Sequence, residues 1–156
     1  MSIAAIKHLL EKQSFLIVAT ADTGGQPNAA PMFFIHADDK YLYLVDYTMG
    51  QTYRNIKANP RVSISVSDME TLSGFKMTGA VKILTQGPVY AKIYSRFEQK
   101  TVDLSVKRVI KGIRESKSHK HFEAGIPSAV VIYQINVKEL TEINAQGKIE
   151  RKYSSS

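Results

Sequence analysis

The sequence of 156 residues contains no cysteine. It can therefore form no disulfide, carry no thiolate nucleophile and hold no cysteine-ligated zinc or iron–sulfur centre. Long apolar stretches are also missing: the longest covers residues 15–19, whereas a membrane-spanning helix needs roughly 20 apolar residues. No signal-peptide pattern opens the chain. We therefore expect a cytoplasmic protein without a membrane partner.

Acidic residues are scarce: 14 Asp and Glu stand against 21 Lys and Arg, which gives a formal net charge of +7. A basic chain favours anionic partners such as phosphate-bearing cofactors, nucleic acids or a membrane surface. Most of the excess positive charge lies in one segment, because residues 100–121 carry seven basic side chains and only two acidic ones, Asp103 and Glu115. The seven are Lys100, Lys107, Arg108, Lys111, Arg114, Lys117 and Lys120.

The composition is that of one globular domain, with 44% apolar and 22% charged residues. We assign residues 1–143 to a single domain and residues 144–156, which offer no core-forming residues, to a polar C-terminal tail. Neither paired carboxylates nor a Ser-His-Asp set is recognisable, so the sequence does not suggest a hydrolase.

Apolar alternation and turn residues predict six strands, over residues 15–21, 27–35, 41–45, 62–67, 75–84 and 129–143. Tight turns join most of them, which favours a small antiparallel barrel, with a β-sandwich as the alternative. Helical crossovers are too few for a parallel sheet. Gly79 predicts a bulge or sharp bend in the fifth strand. The fold class expected is mainly β, a barrel with peripheral helices.

Helical spacing predicts a short amphipathic helix at the N-terminus and another over residues 49–58. The second helix ends at Asn59 and Pro60, where proline prevents continuation and asparagine tolerates a left-handed cap. Two further helices are expected between residues 88 and 118, with an interruption at Gly112.

Three segments, in this order and spacing, resemble the FMN-binding split barrels related to pyridoxamine 5'-phosphate oxidase. They are ATADTGGQPNAAPMFF (residues 19–34), LVDYTMGQTYRNIKANPRVSISV (44–66) and GFKMTGAVKI (74–83). The resemblance implies a six-stranded antiparallel split barrel that forms a homodimer with FMN at its interface. It also implies an oxidoreductase that acts through the flavin N5 atom on a small-molecule substrate, with NADH or NADPH as candidate electron donor. The C-terminus lacks the Arg/Trp-rich substrate segment of the true oxidases, so we do not expect that activity.

The resemblance also implies which residues hold the cofactor. Residues beside the flavin ring would be Pro31, Met32, Phe33, Phe34, Val45 and Asp46. A flat ring needs apolar faces and a few backbone N–H groups, which strands supply, although the residues alone equally fit an ordinary core.

The phosphate of FMN is expected at the loop that enters the second helix, at Met49, Gly50, Gln51 and Thr52. Free backbone N–H groups and the Thr52 hydroxyl suit an anion there. Relatives carry Arg-Lys or Lys-Thr where this chain has Gln51 and Thr52, so Arg54 or Lys76 is the candidate for the missing positive charge.

Three alternatives compete with this reading. Haem or a deazaflavin could replace FMN in the same barrel. His119, His121 and Glu123 could bind a metal, although the surrounding positive charge opposes a cation. The basic residues after Lys100 could bind nucleic acid, but no nucleic-acid motif accompanies them, and we expect that segment to be merely solvated.

Overall fold

Alternating burial marks the strands of the computed structural model, which describes residues 3–114 and 129–153. In the first and fourth strands every second side chain is buried, as in any half-buried sheet. The strands of the described residues are β1 (Phe15–Ala21), β2 (Pro27–Ala37), β3 (Tyr41–Asp46), β4 (Arg61–Asp68), β5 (Ser73–Leu84), β6 (Val131–Ile143) and β7 (Ile149–Tyr153).

Six of these strands close into a barrel. Neighbouring strands follow the order β3-β2-β1-β4-β5-β6-β7, and a further pairing between β3 and β6 joins the two sides. All pairings are antiparallel. The predicted mainly β, six-stranded antiparallel split barrel is therefore confirmed, and the sandwich alternative is wrong.

A bulge at Gly79 bends β5 around the barrel. The register between β5 and β6 shifts between Thr78 and Gly79. A Cβ atom at Gly79 would overlap the backbone carbonyl oxygen of Asn136 on β6. The close approach of the two backbones therefore requires glycine, and the predicted bend is confirmed.

The seventh strand lies outside the barrel. β6 pairs with β3 as far as Asn136, and beyond Glu139 its free edge pairs with β7. The turn between them is held by Asn144, whose Oδ1 accepts hydrogen bonds from the N–H groups of Gln146 and Lys148. Residues 149–153 were expected to belong to a polar tail, but they form a strand. Their backbone groups pair with the free backbone N–H and C=O groups at the edge of β6, and this pairing needs no apolar side chains.

Two apolar cores flank the barrel wall. One fills the barrel and contains Phe34, Leu44 and Tyr133 among others. The other lies between the wall and the long helix and contains Phe33 and Val45. Phe33 and Phe34 are therefore buried on opposite sides of β2, since successive strand residues point to opposite faces.

The helices of the described residues are α1 (Lys7–Glu11), preceded by a 3₁₀ turn (Ile3–Ile6), α2 (Gln51–Ala58) and α3 (Pro88–Arg114). The prediction of two helices after β5 is wrong, because α3 continues through Gly112. A single interior glycine costs only about 1 kcal/mol, which the helix tolerates. Among the described helices, none is long and apolar enough to cross a membrane.

Asn59 ends α2 in an extended conformation, with φ −139° and ψ 95°, and not as a left-handed cap. The ring of Pro60 disfavours helical geometry at the residue before it and pushes Asn59 into the extended region. The predicted end of the helix is confirmed, whereas the predicted conformation of its cap is wrong.

Candidate cofactor site

Asp46, the last residue of β3, organises the loop that leads into α2. Its Oδ1 accepts hydrogen bonds from the N–H (2.8 Å) and hydroxyl (2.9 Å) of Thr48 and from the N–H of Met49 (2.9 Å). These bonds hold Met49 at φ 47°, a left-handed conformation that is uncommon for a residue other than glycine. The carboxylate therefore sets the shape of the loop.

The other oxygen of Asp46 accepts a hydrogen bond of 2.6 Å from the hydroxyl of Tyr133 on β6. Both side chains are buried. Burial raises the pKa of Asp46, but the hydrogen bonds from Tyr133, Met49 and Thr48 outweigh burial and hold this pKa below its ordinary value. Burial and the bond to Asp46 raise the pKa of the Tyr133 hydroxyl. Asp46 is thus an ionised structural anchor whose oxygens are engaged by the protein.

The N-terminus of α2 presents unused backbone donors. Gly50 is the N-cap, no side chain caps the helix, and its first turn contains no acidic residue. The helical ladder begins with the N–H of Arg54, which donates to the carbonyl of Gly50 at 3.2 Å. The N–H groups of the first turn precede that ladder and carry the positive end of the helix dipole. This end of α2 therefore favours an anion.

A network of polar side chains ties that helix end to the barrel. Asn28 on β2 donates from Nδ2 to the hydroxyl oxygens of Thr52 (3.0 Å) and, at greater length, Thr20 (3.4 Å). Asn55 donates to the same Thr20 oxygen at 3.0 Å. Because the Thr52 hydroxyl oxygen accepts a hydrogen bond from Asn28, its own O–H can donate to a ligand.

Gln51 links this network to a positive charge. Its Nε2 donates to Asn55 Oδ1 at 2.7 Å, and its Oε1 accepts a 2.8 Å hydrogen bond from the Arg54 guanidinium. Gln51 therefore holds Arg54 on the same exposed side of the first turn as itself, three residues along the helix.

A cavity of about 370 Å³ lies between this helix end and the strands β2 and β3. Its volume is within the usual range of small-molecule sites. The strand side of the lining is mainly apolar, and the helix side is polar. Eight of the sequence-predicted residues line it: Pro31, Met32, Phe33, Val45, Asp46, Gly50, Gln51 and Thr52.

Four predicted residues do not line the cavity. Phe34 is fully buried in the barrel core, and Met49 packs against that core from the loop. Arg54 is exposed beside Gln51, and Lys76 is exposed on β5. The Phe34 side chain points into the barrel, opposite to that of Phe33, because successive side chains of a strand point to opposite faces.

Further cavity residues were missed by sequence reasoning: Phe15, Asn28, Ala30, Tyr47 and Thr48. Asn28 carried a usable signal, since an amide between apolar strand residues needs partners when it is partly buried. Its partner Thr20 lies directly opposite in the β1–β2 register. Phe15 offered no such signal, because only the pairing of β1 with β2 places it opposite Phe33 and beside the cavity.

Lys100, the first residue of the basic segment, is packed and not merely solvated. From α3 its Nζ donates to the carbonyls of Phe34 (2.6 Å) and Gln13 (3.3 Å) and lies 4.7 Å from the centre of the Phe34 ring. Burial lowers the pKa of Lys100, and the nearby Glu11 opposes this effect. Lys100 therefore fastens α3 to β2, which corrects the expectation of a solvated side chain at this position.

The other basic residues of segment 100–121 lie partly inside and partly outside the described residues. Lys107, Arg108 and Arg114 are exposed on α3. Lys117, Lys120 and the metal candidates His119, His121 and Glu123 lie outside the described residues. Within residues 3–114 and 129–153, no group of three or more His, Asp or Glu side chains is arranged to hold a metal ion.

The family model for pyridoxamine 5'-phosphate oxidase matches residues 3–141, a span that includes every residue of the cavity. The chain belongs to this family. The resemblance seen in the three sequence segments is thereby confirmed. No curated protein matches the chain.

Solved structures of this family's fold cover the chain over most of its length. HupZ of Group A Streptococcus is 28% identical, covers 99% of this chain and 100% of its own, and has a TM-score of 0.62. A structure named F420 reductase is 25% identical, covers 86% of this chain and 94% of its own, and has a TM-score of 0.56.

HutZ, described as a haem storage protein from Vibrio cholerae, is 13% identical, covers 93% of this chain and 97% of its own, and has a TM-score of 0.62. That likeness shows the fold alone. Proteins on the barrel of the pyridoxamine 5'-phosphate oxidase family are thus named for different cofactors, and the cofactor of this chain has to be argued from its own residues.

Proposed function

We propose that this protein binds FMN and acts as a flavin-dependent oxidoreductase on a small-molecule substrate. The observation that carries the proposal is the division of the cavity into an apolar strand side and an uncapped helix end. FMN has the matching division, a flat ring at one end and a phosphate at the other. A ligand without an anionic group would leave the donors of α2 unused.

The phosphate end of the proposed site combines three kinds of donor. The backbone N–H groups of the first turn of α2 supply the helix-dipole contribution. The hydroxyl of Thr52 supplies a directed hydrogen bond, because Asn28 already occupies its acceptor side. Arg54, held by Gln51, supplies the positive charge that relatives provide from the two positions before Tyr53.

The ring end of the proposed site is rigid. Phe33 meets Phe15 at 5.3 Å and Phe97 at 5.6 Å between ring centres, both edge-to-face. Val45 is its cross-strand partner on β3. Side chains held from several directions give a flat ligand a preformed apolar surface, which reduces the entropic cost of binding.

The chemistry in this proposal belongs to the cofactor. FMN, when bound, accepts and donates hydride or electrons through its N5 atom. The carboxylate in the lining, Asp46, is already hydrogen-bonded by the protein, so its role is to position the loop. The chain's residues thus bind and orient, and NADH or NADPH is the candidate electron donor.

A second copy of the chain completes the proposed site. Outward residues of four strands form one cross-strand row, Pro31, Ile17, Ser65 and Lys76, in which Ile17 is 48% exposed. Lys76 stands three strands from Pro31, about 14 Å away, too far for its own cavity. A two-fold homodimer through this row brings the partner's copy of the row over the cavity.

We expect FMN to bind at micromolar or better affinity and about tenfold or more tightly than riboflavin, because charged hydrogen bonds contribute on the order of 1.5 to 3 kcal/mol each. Calorimetric titration of the cofactor-free protein measures both affinities. Equal affinities would refute the phosphate site.

The absorbance spectrum of the protein as purified distinguishes FMN from the other cofactors. Haem or deazaflavin bands in place of flavin bands would refute the proposed cofactor, and the described histidines, His8 and His36, do not line the cavity. Loss of oxidised-flavin absorbance on adding NADH or NADPH without oxygen tests the oxidoreductase activity.

Replacing Thr52 with alanine is expected to weaken FMN binding by about 1 to 2 kcal/mol, the contribution of one hydrogen bond to a charged acceptor after the site has partly relaxed. Thr52→Ser keeps the hydroxyl and should remain within about threefold of the wild type. Riboflavin binding should change little in either variant. An equal loss for FMN and riboflavin in Thr52→Ala would mean that the hydroxyl supports the fold and not the phosphate.

A further inference from the structure

A groove of about 530 Å³ lies on the outer face of the barrel, along β1, β4 and β5 and beside the bulge of β6. Its volume is within the usual range of small-molecule sites. Of the described residues, none lines both this groove and the cofactor cavity. The groove is therefore a separate candidate binding site, which the proposed function does not use.

Two basic side chains, Arg61 on β4 and Lys138 on β6, line the groove, and no Asp or Glu of the described residues does. Within residues 3–114 and 129–153, neither side chain has an ion-pair or hydrogen-bond partner. Glu139, next to Lys138 in the chain, does not line the groove, and its Oε1 accepts a hydrogen bond of 3.0 Å from the Thr141 hydroxyl. The groove thus holds two positive charges that its own lining does not neutralise.

The bulge between β5 and β6 directs Lys138 to the groove. Thr78 pairs with Glu139 and Gly79 pairs with Val137, so Lys138 is the extra residue of β6 at the interruption. A bulge re-aims the side chain of such a residue. Lys138 is exposed and lines the groove, although its neighbour Val137 is buried in the barrel core. The same bulge that requires glycine therefore places a positive charge beside Thr78.

Hydroxyl groups lie between the two charges. Ser63 on β4 and Thr78 on β5 are cross-strand partners, and both line the groove. β4 and β6 are separated by β5, so the backbones that carry Arg61 and Lys138 are about 10 Å apart. Two long side chains can approach one anion from both sides across that distance. A phosphate group offers negative charge to both cations and acceptor oxygens to the hydroxyls.

We propose that this groove binds a small organic phosphate of the nucleoside monophosphate class, with its phosphate between Arg61 and Lys138. Ala19, Ala21 and Ala80 line the rest of the groove, and their short side chains leave room for a flat organic part on the barrel wall. An inorganic phosphate would fill only a small part of the volume. The proposal does not rest on FMN binding, because the two sites are formed by different residues.

Calorimetric titration of the full chain with AMP, and with adenosine as the uncharged comparison, tests the site. AMP is expected to bind about tenfold or more tightly than adenosine, because the phosphate accepts charged hydrogen bonds. Arg61→Gln and Lys138→Gln should each weaken AMP binding by about fivefold or more and leave FMN binding unchanged. Lys148→Gln makes the same change of net charge in the turn after β6 and should stay within about twofold of the wild type.

Ala80→Leu tests the organic part of the ligand. The variant keeps both positive charges but fills the exposed wall of the groove, where a leucine side chain needs no rearrangement of the core. We expect AMP binding to weaken by about fivefold or more, with an unchanged midpoint of urea unfolding. Unchanged AMP affinity in this variant would refute the placement of the organic part.

Equal affinities for AMP and adenosine, or no AMP binding at millimolar concentration, would overturn the proposal. So would wild-type AMP affinity in both charge variants, or competition between AMP and FMN, which would place AMP in the cofactor cavity. The groove adjoins the outward row that contains Ile17, two residues before Ala19. Absence of AMP binding together with a halved molar mass of Arg61→Glu/Lys138→Glu in light scattering would make the groove a contact with a second copy. Failure of FMN to bind would leave each of these AMP results unaffected.

Discussion

Replacing Asp46 with alanine is expected to lower the free energy of unfolding by about 3 to 4 kcal/mol. The change removes an acceptor of four hydrogen bonds and leaves the buried hydroxyl of Tyr133 without a partner. Each buried donor left unsatisfied costs about 1 to 3 kcal/mol. Met49 also loses the bond that holds its left-handed conformation. Urea unfolding followed by circular dichroism measures the loss.

Asp68 provides a matched control, because it too ends a strand and accepts a backbone hydrogen bond, from Glu70, but in an exposed turn. Asp68→Ala should cost about 1 kcal/mol or less. Asp46→Asn keeps the shape and much of the hydrogen bonding and should fall between the two. Similar costs for Asp46→Ala and Asp68→Ala would contradict the anchoring role assigned to Asp46.

The contribution of Asp46 should depend on pH in the acid range. Its pKa is below the ordinary value in the folded protein, so the folded state favours the ionised carboxylate. This stability is present above the unfolded pKa of about 3.9 and is lost as the pH falls through the lower folded pKa. The stability difference between wild type and Asp46→Asn should therefore shrink below about pH 4, and a constant difference would show that ionisation is irrelevant.

Replacing Gly79 with alanine is expected to lower the free energy of unfolding by about 2 to 3 kcal/mol, the usual cost of forcing atoms into a packed site. The added Cβ would overlap the carbonyl oxygen of Asn136, and backbone on both strands would have to move. Because the bulge bends β5 against β6, the strain is expected throughout that strand pair. Thermal and urea unfolding both report it.

Gly74, on the same strand, is the internal comparison. A Cβ atom there would meet nothing within 4 Å, and its φ is not in the left-handed region. Gly74→Ala should change the free energy of unfolding by no more than about 0.5 kcal/mol, in either direction. If both alanine variants were equally stable, the bulge would not require glycine.

The strands and the position of α2 followed from local patterns. Alternation in residues 62–67 marks β4 because a strand has a period of two, and Pro60 ends α2 because proline lacks an N–H. These effects act between residues that are near each other in the chain. The same reasoning missed β7, since an edge strand is held by the free backbone of β6, which the side chains of residues 149–153 do not reveal.

The candidate site was determined only in part by the sequence. The sequence alone located the helix end at Gly50 to Thr52, because an uncapped first turn is a local property. The tertiary structure decided that Phe33 lines the cavity while Phe34 fills the barrel. It also decided that Asn28 donates a hydrogen bond to the Thr52 hydroxyl and that Asp46 accepts one from the Tyr133 hydroxyl. The physical reason is that burial and hydrogen-bond partners depend on contacts between distant segments, here 87 residues apart for Asp46 and Tyr133, which only closure of the barrel creates.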